Sequence, residues 1–162
     1  MELRRQIALL RGAHVIAAAG DTFADRLRAL GAKVTPYGEG MVERVGEIAG
    51  GPTDWALHTA LVKGVLPDLI KIVGGDPSRV MSFSDFDEDG LGVRTTGREK
   101  GAVHRYDALG TYAQLAADGC FTIPIARTFA LEHWREPVEI SMSGRAHGKL
   151  LLMLDQAAAA NG

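Results

Sequence analysis

Short apolar segments alternate along the chain with segments whose apolar residues recur at helical spacing. Phe23, Leu27 and Leu30 show that spacing, and Gly31 follows them as a stop signal. Four runs have the length and apolar content of buried strands: residues 14–19, 33–37, 54–59 and 79–84. Strands that alternate with helices predict an α/β fold with a largely parallel sheet.

The same pattern predicts the remaining elements and their ends. Helices are expected at residues 2–10, 22–30, 41–49, 67–73, 107–118 and, in a short form, 131–136; two more strands are expected at 121–125 and 149–154. Thr22, with Asp25 three residues later, predicts a capping box at the start of the second helix. Pro137 is expected to cut the last helix short.

A polar stretch follows the fourth predicted strand, from Asp85 to His104. Its first residues, Asp85-Phe86-Asp87-Glu88-Asp89-Gly90, imitate the start of a calcium-binding loop. The twelfth position of that loop requires a bidentate Glu, but Thr96 stands there. A solvated acidic loop is therefore the favoured interpretation over a calcium site.

Composition narrows the class of protein. The 162 residues fit one domain, and a formal net charge of −2 without a long basic run argues against nucleic-acid binding. The apolar run Leu150–Leu154 is too short to span a membrane. Cys120, the only cysteine, favours the cytoplasm and is expected to be buried and inert. We expect one domain over residues 1–155 and a disordered tail over 156–162.

Four stretches, taken in order, carry a resemblance to a known family. They are residues 11–17 with 28–32, residues 54–57, residues 115–119 running into 121–125, and residues 129–132 with 144–150. Together they resemble the C-terminal nucleotide-binding domain of the medium-chain dehydrogenase/reductase superfamily, which includes zinc-type alcohol dehydrogenases and quinone oxidoreductases. The resemblance implies a Rossmann-like, mostly parallel sheet with helices on both faces.

The resemblance also shows what the sequence lacks. The family's Gly-rich turn has no counterpart, since no G-x-G-x-x-G occurs and Met1 falls near the position of its last glycine. The first, central strand and the upstream substrate-binding domain are likewise expected to be missing. The resemblance therefore implies an NAD(P)(H)-dependent oxidoreductase domain that is inactive alone. No catalytic residue is assigned, and the scattered histidines predict no metal site.

Cofactor contacts implied by the resemblance begin after the first predicted strand. NADP-using relatives place a Ser and a basic residue there, whereas this chain has Gly20, Asp21 and Thr22. Asp21 is suited to accept a hydrogen bond from a ribose hydroxyl, which favours NAD over NADP. In the alternative interpretation, Asp21 and Thr22 only cap the helix.

Further contacts are implied at the ends of the third and fourth predicted strands. Thr59, Ser82 and Ser84 stand where the family's strands pass near the cofactor. His58 replaces the family's Asp and is interpreted as a structural substitution. Whether the cofactor is NAD or NADP, and whether it binds at all, stays open at this stage.

An open central position in a sheet exposes strand edges and apolar helix faces. A homodimer, or a partner chain that completes the sheet, is therefore expected. A non-enzymatic dimerising or partner-binding module is the alternative function, and a degenerate nucleotide binder that uses only the adenosine end is a third.

Overall fold

The computed structural model describes residues 2–60, 62–85, 90–96 and 106–154. The chain divides into two compact units, Met1–Arg105 and Tyr106–Gly162, and each is described by itself. The expected domain end at residue 155 and the tail at 156–162 lie outside the described residues and stay predictions.

The N-terminal unit alternates helices and strands, as the sequence pattern predicts. Its elements are α1 (Glu2–Leu10), β1 (Ile16–Ala18), α2 (Asp21–Ala29), β2 (Lys33–Thr35), α3 (Met41–Ala49), β3 (Ala56–His58), α4 (Leu66–Ile72), a 3-10 turn (Pro77–Arg79), β4 (Val80–Ser82) and β5 (Arg94–Thr95). Strand β1 pairs with β2, and β3, β4 and β5 form a second sheet in that order; all of these pairs are parallel. The predicted α/β class with parallel pairing is confirmed.

The C-terminal unit has the same character. Its elements are α5 (Ala108–Ala117), β6 (Ile125–Ala130), a 3-10 turn (Leu131–His133), α6 (Arg135–Met142) and β7 (Lys149–Met153). Strands β6 and β7 are parallel, with a register irregularity between Ile125 and Arg127. A turn at residues 143–144 and a bend at residues 147–148 precede β7.

The predicted strand at 121–125 is wrong in its position, because its first residue, Phe121, closes helix α5 and the strand starts four residues later. The backbone N–H groups of Cys120 and Phe121 both donate to the Leu115 carbonyl, at 2.8 and 3.1 Å. Gly119 has a φ of 73°, the left-handed conformation that commonly follows a helix. The strand begins only at Ile125, after this closure.

The expected burial of Cys120 is also wrong, since its side chain is exposed. Its position explains the difference. Cys120 lies in the turn that closes α5, and its Sγ is 3.8 Å from the Asp118 carbonyl oxygen. The neighbouring Phe121 is buried and its ring lies 5.5 Å from that of Tyr112. The apolar run therefore packs through Phe121, and the thiol faces out.

Two predicted helix boundaries need correction for related reasons. Pro137 does not cut the last helix short: it occupies the third position of α6, where no backbone N–H needs an intrahelical acceptor. Thr22 does not cap α2, because that helix begins at Asp21 and Gly20 is its N-cap without a side-chain hydrogen bond. The predicted start of the last helix, residue 131, is too early, since α6 begins at Arg135. The predicted start of the second helix, residue 22, is one residue too late, since α2 begins at Asp21.

Helices α3 and α4 pack against each other and against the strands of the N-terminal unit. Leu69 of α4 contacts both main apolar clusters, one built on β3 and β4 and the other on α3 and β1. Val73 and Val80 are fully buried in the first cluster, and Met41 and Ile72 are buried in the second. Each such side chain contributes roughly 1.5–3 kcal/mol through removal from water. The α3–α4 pair thus covers one face of both β1 and β3.

The opposite face differs between the two sheets. Ala17 of β1 packs against Leu27 of α2 and Ala32, so β1 is covered on both faces. Leu57 of β3, whose side chain points away from α4, is 48% exposed.

Arg44 secures the end of β2: its guanidinium donates to Thr35 Oγ1 at 3.0 Å and to the Pro36 carbonyl at 2.9 Å.

Backbone atoms of Pro124 and Ala126 lie so close to Gly148 that a side chain at this position would collide with them. A Cβ there would lie 2.7 Å from the Pro124 carbonyl oxygen and 2.8 Å from Ala126 N. We expect Gly148→Ala to lower the free energy of unfolding by about 1–3 kcal/mol, because backbone must shift to admit the methyl group. Gly110→Ala is the matched control: a Cβ at this α5 position meets nothing within 4 Å, and the change should stabilise by about 0.5–1 kcal/mol. Denaturant unfolding of both variants tests the pair, and equal effects would contradict the packing described.

Candidate functional site

The carboxyl ends of β3 and β4 bring together polar side chains that the sequence separates by more than twenty residues. In open parallel sheets, ligands bind outside this end of the strands. His58 is the last residue of β3 and Ser82 the last of β4, and the strand register pairs the two directly. Both are buried, at 4% and 0% exposure.

The hydrogen bonds of Ser82 fix the tautomer of His58. Ser82 Oγ accepts from the backbone N–H of Asp85 at 2.9 Å and from that of Ser84 at 3.4 Å. These two bonds occupy both lone pairs of the hydroxyl oxygen. Its proton therefore points to His58 Nδ1, 3.1 Å away. This hydrogen-bond pattern assigns His58 a neutral imidazole that accepts at Nδ1 and carries its proton on Nε2.

Ser84 extends the cluster back to the chain after β3. Its hydroxyl donates to the Ala60 carbonyl, and its Oγ lies 3.5 Å from His58 Nδ1. Ser82 thus joins the two strand ends through the imidazole, and Ser84 joins them through the Ala60 carbonyl. We call His58, Ser82 and Ser84 the strand-end cluster.

The other imidazole nitrogen has no such partner. His58 Nε2 is buried and makes no hydrogen bond within the part of the chain that the structure describes. A buried donor without an acceptor costs about 1–3 kcal/mol. Burial lowers the pKa of His58 below its ordinary value of 6.5, and the Asp85 charge and the Val62 backbone oppose this shift. The hydrogen bond with Ser82 fits the structural role expected for His58 from the sequence. It does not explain why Nε2 is buried without a hydrogen-bond partner.

The residues expected at the adenosine end lie at the start of α2. Gly20 directly follows the β1 region as N-cap of α2, and Asp21 and Thr22 are exposed in the first turn. A Cβ on Gly20 would lie 3.5 Å from Tyr37 Cε1, so the Tyr37 ring borders this glycine. Thr59 is half-buried beside His58. The structure thus clusters Ser82 and Ser84 around His58 and places Gly20, Asp21 and Thr22 together at a second strand end.

Two residues at these strand ends, Tyr37 and Asp85, were not singled out from the sequence. Tyr37 lies two residues after β2, and its signal was an aromatic residue at the carboxyl end of a strand. Asp85 contributes its backbone N–H to Ser82 and its charge to His58. A backbone donor leaves no signal in residue type, so sequence reasoning had no means to find it.

Metal and membrane features were searched over the described ranges only. No set of three or more His, Cys, Asp or Glu side chains in residues 2–60, 62–85, 90–96 and 106–154 is arranged to hold a metal ion. None of the helices described there has the length and apolarity needed to cross a bilayer. The acidic stretch at 86–89 lies outside the described residues, so the solvated-loop interpretation stays a prediction.

A separate open groove of about 450 Å³ lies in the C-terminal unit. Its lining consists of Ala126, Arg127, Ile140, Arg145, Ala146, His147 and Leu150. The Arg127 guanidinium in it is bound to the Glu136 carboxylate at 2.8 Å. None of the residues expected to bind cofactor lines this groove, and the strand-end cluster is therefore the stronger candidate site.

Comparison with known proteins identifies the fold. No protein-family model and no curated protein matches the chain. Solved structures do match: an alcohol dehydrogenase superfamily protein from Novosphingobium aromaticivorans has a TM-score of 0.74 and 21% identity over 95% of this chain. An NAD-dependent alcohol dehydrogenase has a TM-score of 0.69 and 22% identity over 93%. A quinone oxidoreductase from Pseudomonas syringae pv. Tomato DC3000 has a TM-score of 0.65 and 21% identity over 93%.

The chain spans about half of each of these structures, namely 52%, 47% and 52% of their lengths. At these identities the likeness shows the fold alone. It confirms the resemblance to alcohol dehydrogenases and quinone oxidoreductases, and with it the Rossmann-like class. It does not test the individual site residues.

The neutral, buried His58 predicts a stability that depends on pH. Its folded pKa lies below the ordinary 6.5, so between these two values the unfolded chain binds more protons than the folded one. The free energy of unfolding should therefore fall as pH falls through about 6.5, by at most about 1.4 kcal/mol per pH unit from this group. Denaturant unfolding of the wild type and His58→Gln at a series of pH values isolates the effect. A constant difference between the two curves across that range would contradict the lowered pKa.

Proposed function

We propose that the chain is the nicotinamide-nucleotide-binding domain of an NAD(P)(H)-dependent oxidoreductase of the alcohol dehydrogenase/quinone oxidoreductase type. The observation that carries the proposal is the fold shared over 93% of the chain with an NAD-dependent alcohol dehydrogenase. The polar cluster at the carboxyl ends of β3 and β4 supports it, because this is the edge where such sheets bind ligands. The single cysteine supports a cytoplasmic location.

The residues at the two strand ends fit the two halves of a dinucleotide. Gly20, Asp21 and Thr22 would hold the adenosine side, where the exposed Asp21 carboxylate suits a ribose diol and repels a 2′-phosphate. Thr59, Ser82 and Ser84 would lie on the nicotinamide side. The unpartnered His58 Nε2 is a donor that a ligand can satisfy. We therefore favour NAD over NADP.

The bound nucleotide supplies hydride transfer between its nicotinamide ring and the substrate, while protein groups bind and orient the two. Of that orienting surface, this chain supplies the strand-end cluster and the first turn of α2. Its sequence contains no G-x-G-x-x-G turn for the pyrophosphate. We accordingly propose that these residues alone bind nucleotide weakly and do not catalyse hydride transfer.

Nucleotide titration tests the proposal directly. We expect saturable NADH binding with a Kd tighter than about 1 mM, which corresponds to about 4 kcal/mol, and weaker binding of NADPH. Asp21→Asn should weaken NADH binding about fivefold, because it removes a charged acceptor for the ribose. Asp25→Asn is the control, since Asp25 lies on the same helix but is ion-paired with Arg28 at 2.8 Å. Absence of saturable binding of either nucleotide by the wild type would overturn the proposal.

A second candidate function, partner binding, is favoured by the edges of β1 and β3. Backbone groups of Val15 and Ala19 bond to β2, so those of Ile16 and Ala18 point to the opposite edge. The His58 carbonyl bonds to Phe83 beyond β4, so the Leu57 groups point away from β4. No strand pairs with either edge among the described residues.

These two edges belong to sheets that share a helical cover. Leu69 of α4 packs with the clusters of both sheets, as described above. We propose that an extended apolar strand from a second copy or another chain pairs with these edges. This association would make the chain a dimerising or partner-binding module, with or without bound nucleotide.

Substitution of Ala18 tests whether the open edge of β1 mediates association. The Ala18 N–H points away from β2, so proline should remove only an outward-facing donor and leave the β1–β2 pairing intact. We expect the wild type to sediment as a dimer or larger species at high concentration and Ala18→Pro as a monomer. A well-folded wild-type monomer at all concentrations, without binding of an apolar dye, would count against this second function.

A further inference from the structure

His58 Nε2 is the buried side-chain polar atom of the strand-end cluster that has no hydrogen-bond partner among the described residues. The Ser82 hydroxyl holds the proton of the imidazole on Nε2 by donating to Nδ1. Nε2–H is thus a donor with a fixed direction, and it makes no hydrogen bond among the residues that the structure describes. Buried donors in folded proteins nearly always have acceptors.

We infer that the Nε2–H of His58 recognises an uncharged oxygen of the bound nucleotide, either a carboxamide carbonyl or a ribose hydroxyl. The inference rests on the proposed nucleotide-binding function and names one of its specificity contacts. It is carried by three observations: the position of His58 at the carboxyl end of β3, the tautomer set by Ser82, and the unpartnered nitrogen.

The surrounding charges select the type of acceptor. The Asp85 carboxylate is near enough to influence His58 electrostatically. A neutral imidazole beside a carboxylate offers little attraction to a phosphate, whereas an uncharged oxygen meets no repulsion. A pyrophosphate oxygen is therefore a weaker partner for Nε2 than an uncharged oxygen of the sugar or the carboxamide.

A ligand reaches Nε2 through a local movement of the chain. Nε2 itself is shielded from solvent, and the Val62 backbone is close enough to act on the imidazole without forming a hydrogen bond of proper geometry. The Val62 side chain is 55% exposed, so little packing holds this residue in place. Displacement of Val62 by the ligand oxygen would give Nε2–H its acceptor.

Two substitutions separate the role of Nε2 from the role of Nδ1. Asn places an oxygen near the position of Nδ1, so His58→Asn keeps an acceptor for Ser82 but loses the outer donor. Gln reaches farther, so His58→Gln keeps a donor near the position of Nε2 but loses the contact with Ser82. We expect His58→Asn to retain stability and to bind NADH about tenfold more weakly, the effect of one lost uncharged hydrogen bond. His58→Gln should be less stable and bind within about twofold of the wild type.

A purely structural His58 gives the opposite order, with the affinity for NADH following stability so that His58→Asn binds better than His58→Gln. That order would overturn the inference while leaving nucleotide binding intact. Absence of NADH binding to the wild type would overturn the inference and the proposed function together.

Nitrogen NMR of the wild-type chain gives an independent readout. We expect the free protein to show a protonated Nε2 and an unprotonated Nδ1 for His58, with Nε2 shifting on addition of NADH. A protonated Nδ1, or an Nε2 resonance unmoved by saturating NADH, would overturn the inference. ADP-ribose and nicotinamide mononucleotide distinguish the sources of the oxygen. A shift with the mononucleotide but not with ADP-ribose identifies the nicotinamide side, and the reverse identifies the ribose of the adenosine side.

Discussion

Packing of α3 against α4 is the constraint on which the N-terminal unit depends. The two helices bury Met41, Val45 and Ile72 in one cluster, and α4 continues into the core of β3 and β4 through Leu69. Because no strand pairing joins the two sheets of the N-terminal unit among the described residues, apolar contacts beneath these helices hold them together. The strand ends keep their positions for the same reason, and with them His58, Ser82 and Gly20.

Hydrogen bonds at the strand ends orient the polar side chains that this apolar packing positions. Ser82 sits fully buried with three polar neighbours: the Ser84 and Asp85 backbone N–H groups and the His58 ring. A buried network of this kind is stable only when each member has a partner. All polar atoms of the cluster side chains satisfy that condition except Nε2 of His58. The uncompensated cost of burying a polar atom therefore falls on Nε2. This atom lies at the edge of the sheet where parallel α/β proteins bind ligands.

Much of the fold follows from periodicity. The bounds of α3 were predicted to the residue, and each predicted strand of the N-terminal unit is present in shortened form. The errors arise where particular backbone hydrogen bonds decide: Phe121 completes the end of α5 rather than beginning a strand. The two-residue strand β5 within the polar stretch was not predicted, because Arg94 and Thr95 pair with β4 without an apolar pattern of their own.

The candidate site was only partly predictable. Ser82 and Ser84 were singled out through the family resemblance, and the structure places their Oγ atoms 3.1 and 3.5 Å from the same imidazole nitrogen. The tautomer of His58 depends on backbone donors at residues 84 and 85, which no sequence pattern encodes. Whether Gly20, Asp21, Thr22 and Thr59 contact a cofactor stays a prediction.

Mapping of backbone amide shifts on addition of NADH to the isotope-labelled chain tests the central claim most directly. We expect the perturbed amides to cluster at the carboxyl ends of β1, β3 and β4, around Gly20, Thr59 and Ser84. Perturbations confined to the C-terminal unit, for example around the groove at Arg145, would contradict the assignment of the strand-end cluster as the nucleotide site.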